Sequence, residues 1–310
     1  MSQKRARVYA FCNNKGGITK TTGCLQIGYE LAARGYDVCV LDTDPQCNLT
    51  YSLLGDIPEG SDEWSPPTLY EVILGINGDI KKRISLDKII FPIPQQPRLF
   101  LAPGSIELSA TDMRLSAVNG REKILRKALD AIEASFDYVL IDTPPTLGML
   151  PVMACVAAGS DPDIRRNGIV IPIAPQAYSV LGIRILEDAF LQMREDMDIP
   201  LPIFGVLCSH NKRTRNAKIR LDQVIDHFGA LVFPYVVPVN EAVEEAADMQ
   251  QPLREYAPKS TGAIAYRKIA NYFLYRSGMI SKAEAVRFLH SEHLWHEQDD
   301  QKIWERIEDE

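Results

Sequence analysis

At 310 residues, 46% of them hydrophobic, and with a mean hydropathy of −0.12, the chain reads as an ordinary globular protein, long enough for one large α/β unit. No stretch reaches the roughly 18 apolar residues of a membrane span, and no apolar signal-peptide core follows the polar residues 1–5. Six scattered cysteines without a C-x-x-C pair exclude a disulfide scaffold, which places the protein in a reducing cytoplasm; the net charge of −7 disfavours nucleic acid only if it is evenly spread.

In chain order, residues 7–12 form a strand that runs into Asn13-Asn14-Lys15-Gly16-Gly17-Ile18-Thr19-Lys20-Thr21-Thr22. A helix follows over 20–34, with Leu25, Gly28, Leu31 and Ala32 on one side. A glycine-containing turn between a strand and a helix N-terminus collects backbone N–H groups and the positive end of the helix dipole, so residues 16–22 are a candidate phosphate-binding loop. Gly16 and Gly17 let the backbone close on phosphate, Lys20 meets the β- and γ-phosphates, and the Thr21 hydroxyl ligates Mg²⁺. Asn14 and Thr19 stand where the usual G-x-x-x-x-G-K-[ST] loop has glycines, and the β-branched Thr19 is expected at negative φ.

A short strand over 37–42 ends in Asp42-Thr43-Asp44-Pro45-Gln46. Six prolines break the rhythm between 55 and 97, which reads as a surface excursion with one short helix near 68–74. Strand 98–102, helix 121–135 and strand 138–141 follow, the last ending in Asp142-Thr143-Pro144-Pro145. Beyond a loop near 159–167 come strand 168–173, helix 179–196, strand 202–207, helix 215–228, strand 231–236 and helices 241–250 and 261–277. This alternation of near-continuous apolar strands with helices predicts an α/β fold, a mostly parallel twisted sheet flanked by helices on both faces. Asp42 and Asp142, just past the carboxyl ends of strands, then lie beside the phosphate loop and hold Mg²⁺ through waters.

Lys212, Arg213, Arg215, Lys218 and Arg220 place five cations in nine residues, entering a helix. Residues 281–310 form one or two further helices and hold most of the charge imbalance: 291–310 carry eight acids against Lys302 and Arg306. An acidic helix is repelled by anionic lipid, so packing on the domain or on a partner is expected, rather than membrane attachment. The chain therefore divides into residues 1–278 and a helical extension, 279–310.

The series K-G-G-x-x-K-T-T, D-x-D-P-Q and I-D-T-P-P resembles the ParA/MinD family of P-loop NTPases with a deviant Walker A loop, closest to its ParA branch of partition ATPases. Residues 67–72, 101–105, 172–179 and 256–266 also look like family segments, and the likeness covers roughly 6–278. The resemblance implies that Lys15 reaches across a dimer interface to the partner's nucleotide, and that Asp44 orients the attacking water. It implies Ser209 and Pro238 near the adenine, and residues 212–220 as a sequence-independent DNA-binding patch. It further implies an ATP- and Mg²⁺-dependent homodimer, a nucleoid-associated cytoplasmic location, and a centromere-binding or cargo-adaptor partner that stimulates hydrolysis.

Four other readings stand beside it: a positioning ATPase for non-DNA cargo, a MinD-like membrane-surface regulator, an electron-transfer ATPase, and a nucleotide-binding scaffold with little turnover. The membrane reading meets the acidic C-terminus. Electron transfer needs paired cluster-ligating cysteines, and none stands between Cys47 and Cys155.

Overall fold

The computed structural model describes residues 5–17, 19–55, 66–175, 180–209 and 214–307. Seven strands form one sheet: β1 (Arg7–Phe11), β2 (Val38–Asp42), β3 (Phe91–Ile93), β4 (Gln96–Ala102), β5 (Tyr138–Asp142), β6 (Asn167–Ile173) and β7 (Ile203–Cys208). Their order is β3-β4-β2-β5-β1-β6-β7, parallel throughout except for β3, which pairs antiparallel with β4 at the edge. The central strands are buried on both faces, which is why they read as unbroken apolar runs.

Helices α1 (Lys20–Ala33), α2 (Asn48–Leu54), α3 (Leu69–Ile73), α4 (Thr111–Arg114), α5 (Ile124–Leu129), α6 (Met149–Gly159), α7 (Val180–Met197) and α8 (Arg215–Phe228) lie between the strands or just after them. They are followed by α9 (Glu241–Asp248), α10 (Leu253–Tyr256), α11 (Thr261–Arg276), α12 (Lys282–Ser291) and α13 (Glu297–Arg306). The two-residue period of β1 sends Val8 and Ala10 into one core, with residues of α3, α5, α6 and α8, and Tyr9 and Phe11 into the other, with α1, α11, α12 and α13. On that second face Tyr9, Phe204 and Phe273 meet at ring distances of 4.3 to 4.9 Å. Among the described residues no helix is long and apolar enough to cross a membrane.

Three expectations change. Residues 231–236 are not a strand: Pro234 has no N–H to give, and the backbone of the segment meets the sheet at a Val206–Val232 bridge and through the Phe233 N–H on Val206 O. The seventh strand is instead β3, inside the proline-rich stretch, where Leu86, Ile89 and Ile93 are fully buried. The helix expected over 121–135 is a 3₁₀ turn at Arg121–Lys123 and then α5, which stops at Leu129. The loop near 159–167, the short helix near 68–74 and two C-terminal helices are present as expected. Both C-terminal helices pack on the domain: Leu289 and Trp304 are buried, and Phe288 lies under the Arg34 guanidinium, 3.5 Å from ring centroid to Cζ.

Candidate nucleotide-binding site

The strand register brings the acidic motifs together. Asp42 at the end of β2 pairs with Asp142 at the end of β5, and Asp142 pairs on its other side with Phe11, where β1 enters the phosphate loop. Two threonines, not anticipated from the motifs, fix these ends. The Thr43 hydroxyl donates to the Asp142 carbonyl (2.6 Å), and the Thr143 hydroxyl to the Phe11 carbonyl (2.7 Å). Three neighbouring strands thus stay in step past their last ladder pair.

Asp42 and Asp142 are both fully buried but held differently. Asp42 accepts from the Thr50 N–H (2.8 Å), the Thr50 hydroxyl (2.6 Å) and the Asp44 N–H (3.2 Å). The Gly104 N–H donates to the same Thr50 hydroxyl (3.0 Å), and a Cβ at Gly104 would lie 2.8 Å from the Asp42 carbonyl oxygen, so the close approach requires glycine. Burial still pushes the Asp42 carboxyl up to about 6, against these bonds. Neither oxygen of Asp142 has a hydrogen bond of acceptable geometry. Burial and the adjacent Asp42 hold its pKa well above the usual carboxylate range, only partly offset by the nearby Thr21 hydroxyl and Lys20.

Two buried carboxylates side by side, one with both oxygens orphaned, fit a cation. Among the described residues no cluster of three His, Cys, Asp or Glu could hold a metal through protein ligands alone. The donor set of Asp42, Asp142 and the Thr21 hydroxyl therefore suits Mg²⁺, which keeps waters and completes its shell with phosphate oxygens.

The loop itself is braced by Asn13, whose side chain donates to the Pro172 carbonyl (2.6 Å) and accepts from the Lys15 N–H (3.1 Å). Gly17 sits at φ +68°, and Gly16 has open space around it. Lys20 Nζ curls onto the Lys15 carbonyl (3.0 Å). Burial lowers its pKa, while the charges of Asp142 and Asp44 pull it back up. Thr21 and Thr22 are half-buried in the first turn of α1, which carries no acidic residue to occupy its N–H groups. Lys15 is exposed at the lip. Ile18 lies outside the described residues.

Thr19 does not take negative φ. It stands at φ 63°, ψ 28°, in the left-handed region. The glycine position keeps its left-handed backbone although the residue is threonine, and the Thr19 hydroxyl hydrogen-bonds the buried Ser209 hydroxyl. Ser209 therefore supports the phosphate loop. Val237, next to Pro238, donates its N–H to the Cys208 carbonyl (2.9 Å), which sets Pro238 beside the same strand end.

Asp44 is buried, and its Oδ1 accepts the Gln46 N–H (2.9 Å), so one oxygen caps the turn at Pro45. Arg215, Lys218 and Arg220 are exposed on the first turns of α8, behind an N-cap in which Thr214 accepts from the Ala217 N–H. Lys212 and Arg213 lie outside the described residues. Thr50, Thr43, Thr143, Asn13 and Gly104 were all missed, because each acts through a neighbour at a distance the sequence does not show.

The matching family model is described as an AAA domain and covers residues 6–203. The chromosome-partitioning protein ParA of Caulobacter vibrioides is 31% identical over 280 residues, covering 89% of this chain and 97% of that protein. An uncharacterised Mycobacterium tuberculosis protein is 32% identical over 277 residues, covering 88% and 80%. The solved cobyrinic acid a,c-diamide synthase of Mycobacterium smegmatis, crystallised with an ATP analogue and magnesium, superposes with a TM-score of 0.69 at 27% identity, covering 87% of this chain and 95% of that one. With its two-lysine loop, paired strand-end aspartates and parallel sheet, the chain belongs to the ParA/MinD family of P-loop ATPases, in its ParA-type branch.

Proposed function

We propose that the protein is an ATP-hydrolysing switch that dimerises on ATP, binds DNA without sequence preference and segregates or positions DNA together with a centromere-binding or adaptor protein. The observation that carries the nucleotide part is the register pairing of Asp42 with the orphaned Asp142 beside Lys20 and Thr21. ATP and Mg²⁺ are its cofactors, and the ion would supply charge neutralisation at the phosphates.

The chain's own residues then divide the work. Orphan N–H groups at the start of α1 and the Lys20 ammonium bind the phosphates, leaving the Lys15 carbonyl that Lys20 now contacts. Burial raises both Asp42 and Asp142, and a cation beside them would favour their ionised forms. Asp44, anchored by one oxygen, has the other to orient a water, and phosphoryl transfer asks mostly for such positioning. Lys15 at the exposed lip supplies a cation to the partner's nucleotide.

For DNA, three exposed cations crowd the first turns of α8, where the helix dipole disfavours positive charge. Helix stability does not account for them, and phosphate binding does. Glu241 and Glu244 have an ordinary reason: they sit in the first turn of α9, where the dipole favours them.

The test is binding to random-sequence duplex DNA with ATP·Mg²⁺ against ADP·Mg²⁺ across a salt series. Binding is expected only with ATP, falling steeply with salt. Replacing Arg215, Lys218 and Arg220 by alanine should flatten the log–log salt slope by up to about 3, at roughly 0.9 per phosphate contact per DNA-binding subunit. Equal binding with ADP would remove the switch; an unchanged slope would remove α8 from the interface.

A further inference from the structure

We infer that α13 is a strap that positions the 233–238 loop, whose Pro238 the family resemblance sets near the adenine, acting through Asp300 and Tyr235; this rests on that resemblance and on the nucleotide site proposed above. Residues 233–238 are held beside β7 by two backbone bonds, from the Phe233 N–H to Val206 O and from the Val237 N–H to Cys208 O, each 2.9 Å. Between them Tyr235 is buried, and its hydroxyl donates to Asp300 Oδ1 (2.8 Å) and accepts from Trp304 Nε1 (2.9 Å). Asp300 is fully buried, on the side of α13 that also carries Trp304. Its Oδ2 accepts from Lys268 Nζ of α11 (2.6 Å) and from the His296 N–H (2.7 Å).

A buried ion pair of this kind contributes little net stability over an apolar substitute, but its removal on one side leaves a buried charge and its directional bonds unmet. Here one of those bonds, to Tyr235, holds the 233–238 loop. Glu297, Asp299, Gln301, Lys302 and Glu305 face solvent, so α13 docks through Asp300, Ile303 and Trp304, with Ile307 just beyond, and Tyr235 is the residue of the 233–238 loop that Asp300 and Trp304 both bond.

From that loop the contacts continue to the phosphates. Val237 bonds Cys208; the next residue, Ser209, donates its N–H to Ile173 O (2.9 Å) and hydrogen-bonds Thr19 through its hydroxyl. The strap, the base-side loop, the end of β7 and the phosphate loop are thus joined by consecutive hydrogen bonds. Asp300, Tyr235 and Trp304 are positioning residues: none faces the phosphates, and each acts through residues 233–238. Loosening the strap should let the base side of the site move while the phosphate loop, braced independently by Asn13, keeps its shape.

The experiment compares ATP·Mg²⁺ with base-free tripolyphosphate·Mg²⁺ as ligands of full-length wild type, Asp300→Ala and Tyr235→Phe, by calorimetry, with thermal melts as the folding check. Both variants are expected to bind ATP roughly 5- to 20-fold more weakly, the loss of one or two buried hydrogen bonds. Tripolyphosphate affinity should change less than twofold, and KM for ATP should rise more than kcat falls. Should Asp300→Ala not fold, Tyr235→Phe, which keeps the ring, carries the test. Equal weakening of both ligands, or unchanged ATP affinity in folded variants, would overturn the strap while leaving the nucleotide site intact. A wild-type protein that binds neither ligand, or binds both equally, would overturn the nucleotide reading itself and the strap with it.

Discussion

Thr19 holds a backbone conformation that costs a β-branched residue about 1–2 kcal/mol. Its hydroxyl returns part of that through Ser209. Thr19→Gly removes the strain and the hydrogen bond together and adds chain entropy to the unfolded state, so the unfolding free energy should move by less than about 1 kcal/mol. Thr19→Ala keeps the left-handed backbone without the hydroxyl and should cost about 1 kcal/mol in the same chemical denaturation. The reverse ranking would show that the hydroxyl does not brace the loop. The acids give a second residue-scale expectation, with a definite sign. Asp42, raised to about 6, binds its proton more tightly folded than unfolded. Its contribution to stability is therefore greatest below about pH 4 and is lost as pH rises through about 6. Asp142 shifts in the same direction, through burial and the adjacent Asp42, with only the nearby Thr21 hydroxyl and Lys20 against it. Nucleotide-free Asp142→Asn should then melt higher than wild type at pH 8, by about 2–4 °C for each kcal/mol recovered. That gap should close as the pH falls and the wild-type carboxyl takes up its proton, while Mg²⁺·ATP should stabilise wild type and not the variant. A gap independent of pH would mean that burial of the charge is not its cause.

At the scale of elements, the sequence was most legible where one physical signal dominated. The runs 8–11, 38–41 and 138–141 are buried on both faces, and the structure makes strands of them; α8 follows a strong helical periodicity, with Ala217, Val224 and Phe228 on its buried side. α6 was invisible because it is apolar on every side, Met149 to Gly159, buried between β1, β6 and α5, so it shows no period at all. Residues 231–236 mislead in the opposite way: Phe233, Tyr235 and Val237 alternate like a strand, but their buried side chains serve the core and α13. β3 hides among prolines because an edge strand of three residues asks little of its sequence. The candidate site divides along the same line. Lys20, Asp42 and Asp142 are chemically conspicuous in their motifs, and the register joins them. Thr50 carries no motif; it matters because α2 returns it to Asp42.

For the whole molecule, the two faces of the sheet are already covered, one by α3 to α8 and the other by α1, α2 and α9 to α13. A second copy that shares nucleotide must therefore approach the edge where the strands end. Three large apolar side chains stand exposed on segments that follow the carboxyl ends of β4 and β5: Ile106 at 67%, Met113 at 75% and Leu147 at 61%. They are held on ordered backbone, since Asp112 beside Met113 accepts the Met149 N–H (2.7 Å) and ties α4 to the start of α6. Apolar side chains around a polar cleft are a cost to an isolated monomer and a gain to a face-to-face dimer. Asp44→Ala, which should slow single-turnover hydrolysis by 100-fold or more by analogy with the loss of other positioning groups, gives a background in which an ATP dimer persists. On that background Met113→Glu with Leu147→Glu should weaken ATP-dependent dimerisation at least about tenfold, through two charges forced into the contact. Nucleotide affinity of the monomer should stay within a factor of two. Light scattering across a concentration series reads the first and calorimetry on dilute protein the second. Dimers that form unchanged would place the contact away from α4 and the 143–148 loop. A joint loss of nucleotide binding would instead make α4 and the 143–148 loop part of the site's own frame.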